Sequence, residues 1–124
     1  MKVLILEDDE RRITLFKEKL VGHLLFTTDN PQKANTWLEL ESFDFVFLDH
    51  DLADEHYRED CDSNETTGLC TAEFLGNNPE FSPDAKIIVH SLNPSGRKRM
   101  MQALASRNAI EYPFNFLIGA IQVD

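Results

Sequence analysis

The sequence has few of the features that mark secreted, membrane or cysteine-ligated metal proteins. Its 124 residues include two cysteines, Cys61 and Cys70, and their spacing to the histidines is not that of metal ligands. Nothing resembles a signal peptide, and no apolar run approaches the length of a membrane span. We therefore expect a soluble, cytoplasmic protein that has free thiols and no membrane partner.

Positive charge is also scarce. Twelve Lys and Arg residues stand against 22 Asp and Glu residues, which gives a formal net charge of −10. Nucleic-acid backbones are bound by clustered cations, so this charge argues against extended duplex nucleic acid as a partner. It favours a bound divalent cation or simple solubility. A local cluster of cations, Arg97, Lys98 and Arg99, suits a small phosphorylated ligand.

The composition is that of a folded globular protein, with 42% hydrophobic residues and a length that fits one domain, residues 1–124. Its most informative stretch is Phe43 to Leu52, an apolar run that ends abruptly in Asp49, His50 and Asp51. Such a run is typical of a strand that is buried on both faces of a parallel sheet.

Strands and helices alternate along the chain. The pattern predicts five strands, at 2–7, 24–27, within 43–52, at 86–91 and at 109–112. It predicts helices at 10–21, from Asn30-Pro31, at 69–75 and, capped by Ser95, at 96–107. This order predicts an α/β fold, a doubly wound parallel sheet of about five strands. We expect the acidic stretch 53–65 to form a binding loop or lid, and the apolar tail 114–121 to close the sheet.

Three of these strands end in ionisable residues, which predicts a site at the carboxyl edge of the sheet. Four carboxylates, those of Asp8, Asp9, Asp49 and Asp51, would meet there and repel one another unless a cation is bound. Oxygen ligands suit Mg²⁺ or Mn²⁺, and Zn²⁺ is the weaker option without a histidine pair. The alternative is that Asp8 or Asp9 merely caps the first helix.

Several residues near the same edge suit a phosphate. Thr67-Gly68 and Ser95-Gly96 precede helices, whose N-termini favour anions, and Arg97 offers a charged fork. A cation in the first helical turn opposes the helix dipole, so we expect Arg97 to act on a ligand and not on stability. The alternatives are ordinary capping and, for Asn93-Pro94, a simple turn.

Two histidines accompany these groups. His90 interrupts an apolar strand just before Ser91, where it could exchange a proton with a substrate or serve as a buried structural residue. His50 lies between two acids and, if the alternation of the strand persists, faces away from them and orients the loop.

These motifs resemble the receiver domains of two-component response regulators. The acid pair Asp8-Asp9 is similar to the pair that binds Mg²⁺ in that family, and Asp49 is similar to its phosphoryl acceptor. Ser91 matches the hydroxyl residue at the end of the fourth strand. The family also carries a lysine at the end of the fifth strand, and residues 109–116 contain none.

A narrower resemblance is to the receiver-like family proposed to process cyclic phosphates. Three separated blocks carry it in order: Asp49-His50-Asp51-Leu52, then Thr67-Gly68, then His90-Ser91, Asn93-Pro94, Gly96-Arg97 and Met100. The resemblance implies a receiver or flavodoxin-like domain that handles a cyclic phosphate. Together with the helix N-termini and the Arg97 fork, it leads us to expect phosphate contacts at these positions: Thr67, Gly68, Ser91, Asn93, Gly96 and Arg97.

The first functional hypothesis is a metal-dependent phosphoesterase acting on a cyclic nucleotide or on a 2′,3′-cyclic RNA 3′ end. Asp49, His50 and His90 are its candidate catalytic residues, and a bound metal would activate water. The second hypothesis is a signalling receiver that is phosphorylated on Asp49. The third is a non-catalytic module that sequesters a phosphorylated ligand at the same edge.

Overall fold

The structure, a computed structural model, describes residues 1–49, 68–91 and 93–112. Its elements follow in the order β1 (Lys2–Leu6), α1 (Glu10–Lys19), β2 (Leu24–Thr28), α2 (Pro31–Leu40), β3 (Phe45–Leu48), α3 (Gly68–Asn77), β4 (Lys86–Val89), α4 (Pro94–Ala103) and β5 (Ala109–Glu111). The acidic stretch 53–65 and the tail 114–121 lie outside the described residues.

The five strands form one sheet in the order β2-β1-β3-β4-β5, and each neighbouring pair is parallel. The chain changes direction across the sheet after β2, so β1 and β3 are adjacent and a crevice opens at their carboxyl ends. The predicted fold class is confirmed.

Helices cover both faces of the sheet. Successive strand residues point to opposite faces, so each strand contributes side chains to both cores. On one face, Leu4 and Leu6 pack in a core with side chains from α2, α3 and α4. On the other face, Val3 and Ile5 pack with Phe16 of α1. The residue that follows β1 therefore continues one of these two faces, which decides where its side chain points.

Helix starts are set by side chains that accept hydrogen bonds from the first free N–H groups. Asn30 caps α2 with Pro31 at the first position, as predicted. For α4, the prediction of a Ser95 cap and a start at Gly96 is wrong. The helix begins at Pro94, and Asn93 caps it by accepting from the Gly96 N–H. An Asn-Pro pair thus starts both helices, since proline is already held at the helical φ angle and has no N–H to satisfy.

Two expectations concern thiols and membranes. The expectation of free thiols is wrong for Cys70, which is disulfide-bonded. The chain has one other cysteine, Cys61, and it lies outside the described residues. Within the described ranges, no helix has the length and apolar character to cross a membrane.

Candidate functional site

Three carboxylates converge at the carboxyl ends of the adjacent strands β1 and β3. Glu7 and Asp8 follow β1, and Asp49 follows β3, where its N–H donates to the carbonyl of Leu6. One oxygen from each carboxylate lies within 4.8 Å of one from each of the others. Glu7 and Asp49 are buried and Asp8 is exposed, so this acidic cluster has an interior side and a solvent side.

Glu7 is the member of the acidic cluster that sequence reasoning missed. Its Oε2 accepts hydrogen bonds from the N–H groups of Asp8 and Asp9, at 3.0 and 3.1 Å. One signal was available: Glu7 comes two residues after Ile5, so the strand's alternation puts both on the same buried face. A carboxylate on a buried face requires polar partners, and these are found where a functional site lies at the end of the strand.

Asp9 lies beside the acidic cluster without joining it. Its side chain caps α1, with Oδ1 accepting from the N–H groups of Arg11 and Arg12. These hydrogen bonds, the one from Arg11 first, lower the pKa of Asp9 below its usual value. The capping alternative therefore describes Asp9, and the acids that the structure brings together are Glu7, Asp8 and Asp49 in place of the predicted Asp8, Asp9 and Asp49. The fourth predicted metal ligand, Asp51, lies outside the described residues.

Two members of the acidic cluster, Asp8 and Asp49, have raised pKa values. Loss of solvent, and then the negative charge of Glu7, raise the pKa of Asp49 to about 7, although His90 and Arg12 act in the opposite direction. The same two causes, in the same order, raise the pKa of Asp8. At neutral pH Asp49 is therefore partly protonated when no metal ion is bound, and a divalent metal ion would favour its ionised form.

The acidic cluster fits a magnesium-sized ion. Its donors are all carboxylate oxygens, the ligand type that Mg²⁺ and Mn²⁺ prefer. Opposite oxygens around Mg²⁺ are about 4.2 Å apart, twice the usual Mg–O distance. The oxygens of the acidic cluster lie within 4.8 Å of one another, which is close to that distance.

His90 lies behind the acidic cluster, away from solvent. It is fully buried, and its Nε2 lies 2.9 Å from Glu7 Oε1. The ring edge of Phe16 packs against it, with centroids 5.3 Å apart. Burial lowers the pKa of His90 to about 4, against the pull of Asp49, so the ring is uncharged at neutral pH. An uncharged ring with its proton on Nε2 donates this hydrogen bond and holds Glu7 in place.

Arg12 lies close to both buried carboxylates of the acidic cluster. Its Nη1 lies 3.6 Å from Glu7 Oε1 and 3.6 Å from Asp49 Oδ2. The side chain is 24% exposed, so it is mostly buried and keeps some contact with solvent. Arg12 was not among the predicted site residues, because a charged residue in an amphipathic helix is usually a solvated one.

Of the motif after β3, the structure describes only Gly68. This glycine is the first residue of α3, and an added Cβ would lie 1.8 Å from the carbonyl oxygen of Asp49. The residue must therefore be glycine for α3 to pack against the end of β3. The other predicted site residues of this region, His50, Asp51 and Thr67, lie outside the described residues.

The motif after β4 forms a hydrogen-bonded turn. The buried Ser91 accepts from the Asn93 N–H through Oγ, at 3.1 Å, and Asn93 Oδ1 accepts from the Gly96 N–H. Arg97 Nη1 donates to the Ser91 carbonyl at 2.7 Å, and its Nε lies 3.8 Å from Glu111. All four predicted phosphate contacts of this block, Ser91, Asn93, Gly96 and Arg97, are thus gathered at one turn, and each also has a structural partner.

Several solved structures that are similar to this chain are receiver domains. The signal receiver domain of a histidine kinase from Syntrophus aciditrophicus aligns with a TM-score of 0.66 at 18% identity, covering 97% of this chain and 86% of that one. A response regulator receiver domain protein from Methanospirillum hungatei gives 0.64 at 20% identity, with coverage of 97% and 89%. The Thermotoga maritima response regulator TrrA, in complex with Mg²⁺-BeF, gives 0.58 at 27% identity, with coverage of 90% and 84%. The chain therefore has the receiver fold.

Within this fold the family is narrower. The chain belongs to the cyclic-phosphate processing receiver domain family, which matches residues 3–106. That range contains the acidic cluster, Arg12 and the whole turn after β4, and it confirms the family resemblance drawn from the sequence. No curated protein matches the chain.

Proposed function

We propose that this chain is a metal-dependent phosphoesterase that hydrolyses a cyclic phosphate, such as a cyclic nucleotide or the 2′,3′-cyclic end of an RNA. The observation that carries the proposal is the convergence of Glu7, Asp8 and Asp49 at the carboxyl edge of the sheet. Membership of a cyclic-phosphate processing family supports the substrate class.

Glu7, Asp8 and Asp49 would hold Mg²⁺ or Mn²⁺, because all three supply the hard oxygen ligands that these ions take. When bound, the ion polarises a phosphate and lowers the pKa of a coordinated water. The 27% identical TrrA is a receiver in complex with Mg²⁺-BeF, which supports a divalent ion at this edge. Asp51 stays a sequence-based candidate for a fourth ligand. Asp9 is not included, because it caps helix α1.

The phosphate would lie between the acidic cluster and the turn after β4. Arg97 is anchored there by the Ser91 carbonyl, and a guanidinium has further N–H donors for phosphate oxygens. His90 would act through Glu7: its hydrogen bond holds a carboxylate that would bind the ion, so we assign it as a positioning residue. His50, Thr67 and Gly68 remain the sequence-based candidates beyond β3.

The test is hydrolysis of a panel of cyclic nucleotides and cyclic-ended RNAs by the purified chain, with Mg²⁺, with Mn²⁺ and with a chelator. We expect product only with metal, and none from Asp49→Asn. Asp9→Asn is the matched control, because asparagine is an equally good helix cap and the substitution also removes one carboxylate. If Asp9→Asn abolishes turnover and Asp49→Asn does not, the metal site is assigned to the wrong acids.

A second candidate function is a phosphoacceptor receiver. The receiver neighbours favour it, and Asp49 directly follows β3, where the resemblance places the acceptor. The absence of a lysine from residues 109–116 weighs against it. Incubation with acetyl phosphate and Mg²⁺, followed by intact-mass analysis, distinguishes the two: a phosphorylated wild type, an unmodified Asp49→Asn and no turnover of the panel would select the receiver. Recovery of unaltered, bound cyclic ligand would select a binding module.

A further inference from the structure

The position of Arg12 is unfavourable for helix α1 by itself. Arg12 lies in the first turn of α1, where the helix dipole disfavours a cation. The neighbouring Arg11 is 93% exposed, and its guanidinium lies 3.8 Å from the capping Asp9. Arg12 points instead to the interior, with a side chain only 24% exposed. The negative charge of the acidic cluster compensates for the unfavourable interaction of Arg12 with the helix dipole.

Arg12 contacts the same two buried carboxylates that are proposed to bind metal. One nitrogen, Nη1, lies 3.6 Å from an oxygen of Glu7 and 3.6 Å from an oxygen of Asp49. Both acids are at least 96% buried, so solvent screens these interactions weakly. A guanidinium cannot lose its charge in a protein, so Arg12 supplies a permanent cation to the acidic cluster.

We propose that Arg12 is an internal counter-cation that competes with the divalent metal ion for Glu7 and Asp49 and thereby sets the metal affinity of the site. The inference rests on the proposed function, in which these acids hold the ion. Without metal, Arg12 offsets part of the negative charge that burial concentrates between β1 and β3. When an ion binds, the guanidinium gives up the two carboxylates, and its partly exposed position gives it a path to solvent.

The proposal predicts opposite effects of Arg12 on the two states of the protein. Removing its charge should destabilise the metal-free protein, because Glu7 and Asp49 lose their cation. The same change should strengthen metal binding, because the ion no longer displaces or approaches a like charge. A residue with a merely structural role would weaken both states alike. The sign of the change in metal affinity is therefore diagnostic.

The experiment is calorimetric titration of Mg²⁺, and separately of Mn²⁺, into the metal-stripped full chain. We expect Arg12→Gln to lower the dissociation constant about tenfold or more, since a like charge a few ångströms from a buried ion is removed. Arg11→Gln makes the same charge change one residue away, and we expect its affinity to stay within about twofold of the wild type. Arg12→Met keeps the apolar stem, and it should bind as tightly as Arg12→Gln; it serves if the glutamine variant does not fold.

Thermal unfolding in a chelator gives a second readout. Without metal, the melting temperature of Arg12→Gln should be lower than that of Arg11→Gln. The difference between the two melting temperatures should become smaller at saturating Mg²⁺. If the wild type binds the ion and the Arg12 variants bind it equally or more weakly, the counter-cation role is overturned while the proposed function stands. If neither the wild type nor any variant takes up Mg²⁺ or Mn²⁺, both the counter-cation role and the metal-dependent function are overturned.

Discussion

The hydrogen bond between His90 and Glu7 sets the expected effect of replacing His90 on stability and on metal affinity. Replacing His90 with alanine removes a fully buried ring and leaves the Glu7 oxygen without its donor. We expect a loss of about 2 to 4 kcal/mol in unfolding free energy, from the cavity and from the unsatisfied carboxylate. Metal affinity should fall with it, because Glu7 is no longer held. Urea unfolding and a Mg²⁺ titration measure the two effects.

His90→Gln is the matched variant, because an amide can donate to Glu7 from a similar distance. It should recover part of the lost metal affinity. Since His90 is uncharged at neutral pH and does not face solvent, the pH dependence of turnover should keep its shape in both variants. A well-folded His90→Ala protein that binds metal normally but loses one limb of its pH–rate profile would instead restore the proton-transfer role.

Arg97 is expected to matter for stability as well as for ligand binding. The sequence alone predicted that its removal would be neutral or slightly stabilising, from its place in the first turn of α4. The structure adds the 2.7 Å bond to the Ser91 carbonyl, a charge-assisted bond that joins α4 to the end of β4. We expect Arg97→Ala to cost about 1 to 3 kcal/mol, measured by urea unfolding.

The control for Arg97 is Arg99→Ala on the same helix, whose side chain lies on the exposed part of α4. That variant should lose less stability and keep its affinity for inorganic phosphate, while Arg97→Ala should bind phosphate more weakly. An Arg97→Ala protein as stable as the wild type would return Arg97 to a role in ligand binding alone.

Sequence reasoning named some members of the acidic cluster and not others, for a physical reason. Asp8 and Asp49 were named because each comes shortly after an apolar strand. Glu7 was missed and Asp9 was taken as a ligand, because three consecutive acids offer no compositional clue to which one caps the helix. That choice depends on the backbone angles where β1 turns into α1, and these are fixed only when the strand and helix pack.

At the scale of secondary-structure elements, the approach of α3 to β3 rests on one glycine. A Cβ on Gly68 would lie 1.8 Å from the carbonyl oxygen of Asp49, so Gly68→Ala must push the two elements apart. We expect a loss of about 1 to 3 kcal/mol, as for other overpacked sites, and a weaker response to Mg²⁺ because Asp49 is displaced. Thermal unfolding with and without the ion measures both.

Gly76 provides the control within the same helix. Its added Cβ would lie 2.0 Å from the carbonyl oxygen of Ala103, a clash of similar severity near the other end of α3. Gly76→Ala should therefore lose comparable stability and keep the full metal response. Equal metal responses in the two variants would show that the position of α3 does not determine the geometry of Asp49.

The order of the elements was predictable, and one helix start was not. Alternating apolar strands and amphipathic helices specify the order, because each pattern has its own period. The start of α4 was misplaced by two residues. Asn93-Pro94 and Ser95-Gly96 are both credible beginnings, and Asn-Pro also suits a turn. The choice between them depends on where the N–H of Gly96 finds its acceptor, which is a tertiary property.

At the scale of the whole molecule, folding brings together acidic side chains that are far apart in the sequence. The net charge of −10 shows an excess of acidic residues, but it does not show which of these residues are buried. The parallel sheet brings two of them, Glu7 and Asp49, to the interior end of adjacent strands. The ionisation of Asp49 therefore depends on the folded state, and a pH dependence of stability follows from the burial of this carboxyl.

Asp49 should make the metal-free protein less stable as the pH rises. Its pKa is about 7 in the folded protein and 3.8 in the unfolded reference. Between these values the folded state binds more protons than the unfolded chain, so this group's contribution to stability falls from pH 4 to pH 7 and stays low above pH 7. Asp49→Asn removes it, and should stabilise the metal-free protein by about 2 to 4 kcal/mol at pH 8.

The gain from Asp49→Asn should shrink toward zero as the pH falls to 4, where the wild-type carboxyl is itself protonated. Urea unfolding in a chelator at pH 8, 6 and 4 tests this sign. Adding Mg²⁺ at pH 8 should stabilise the wild type and leave Asp49→Asn unchanged, because a ligand raises stability only where the folded state binds it. The Asp9→Asn control should keep the metal response and show no gain at pH 8, since its carboxylate is already favoured by the helix N–H groups. An Asp49→Asn protein that gains nothing at pH 8 yet still responds fully to Mg²⁺ would remove Asp49 from the site and place the ion elsewhere on the sheet.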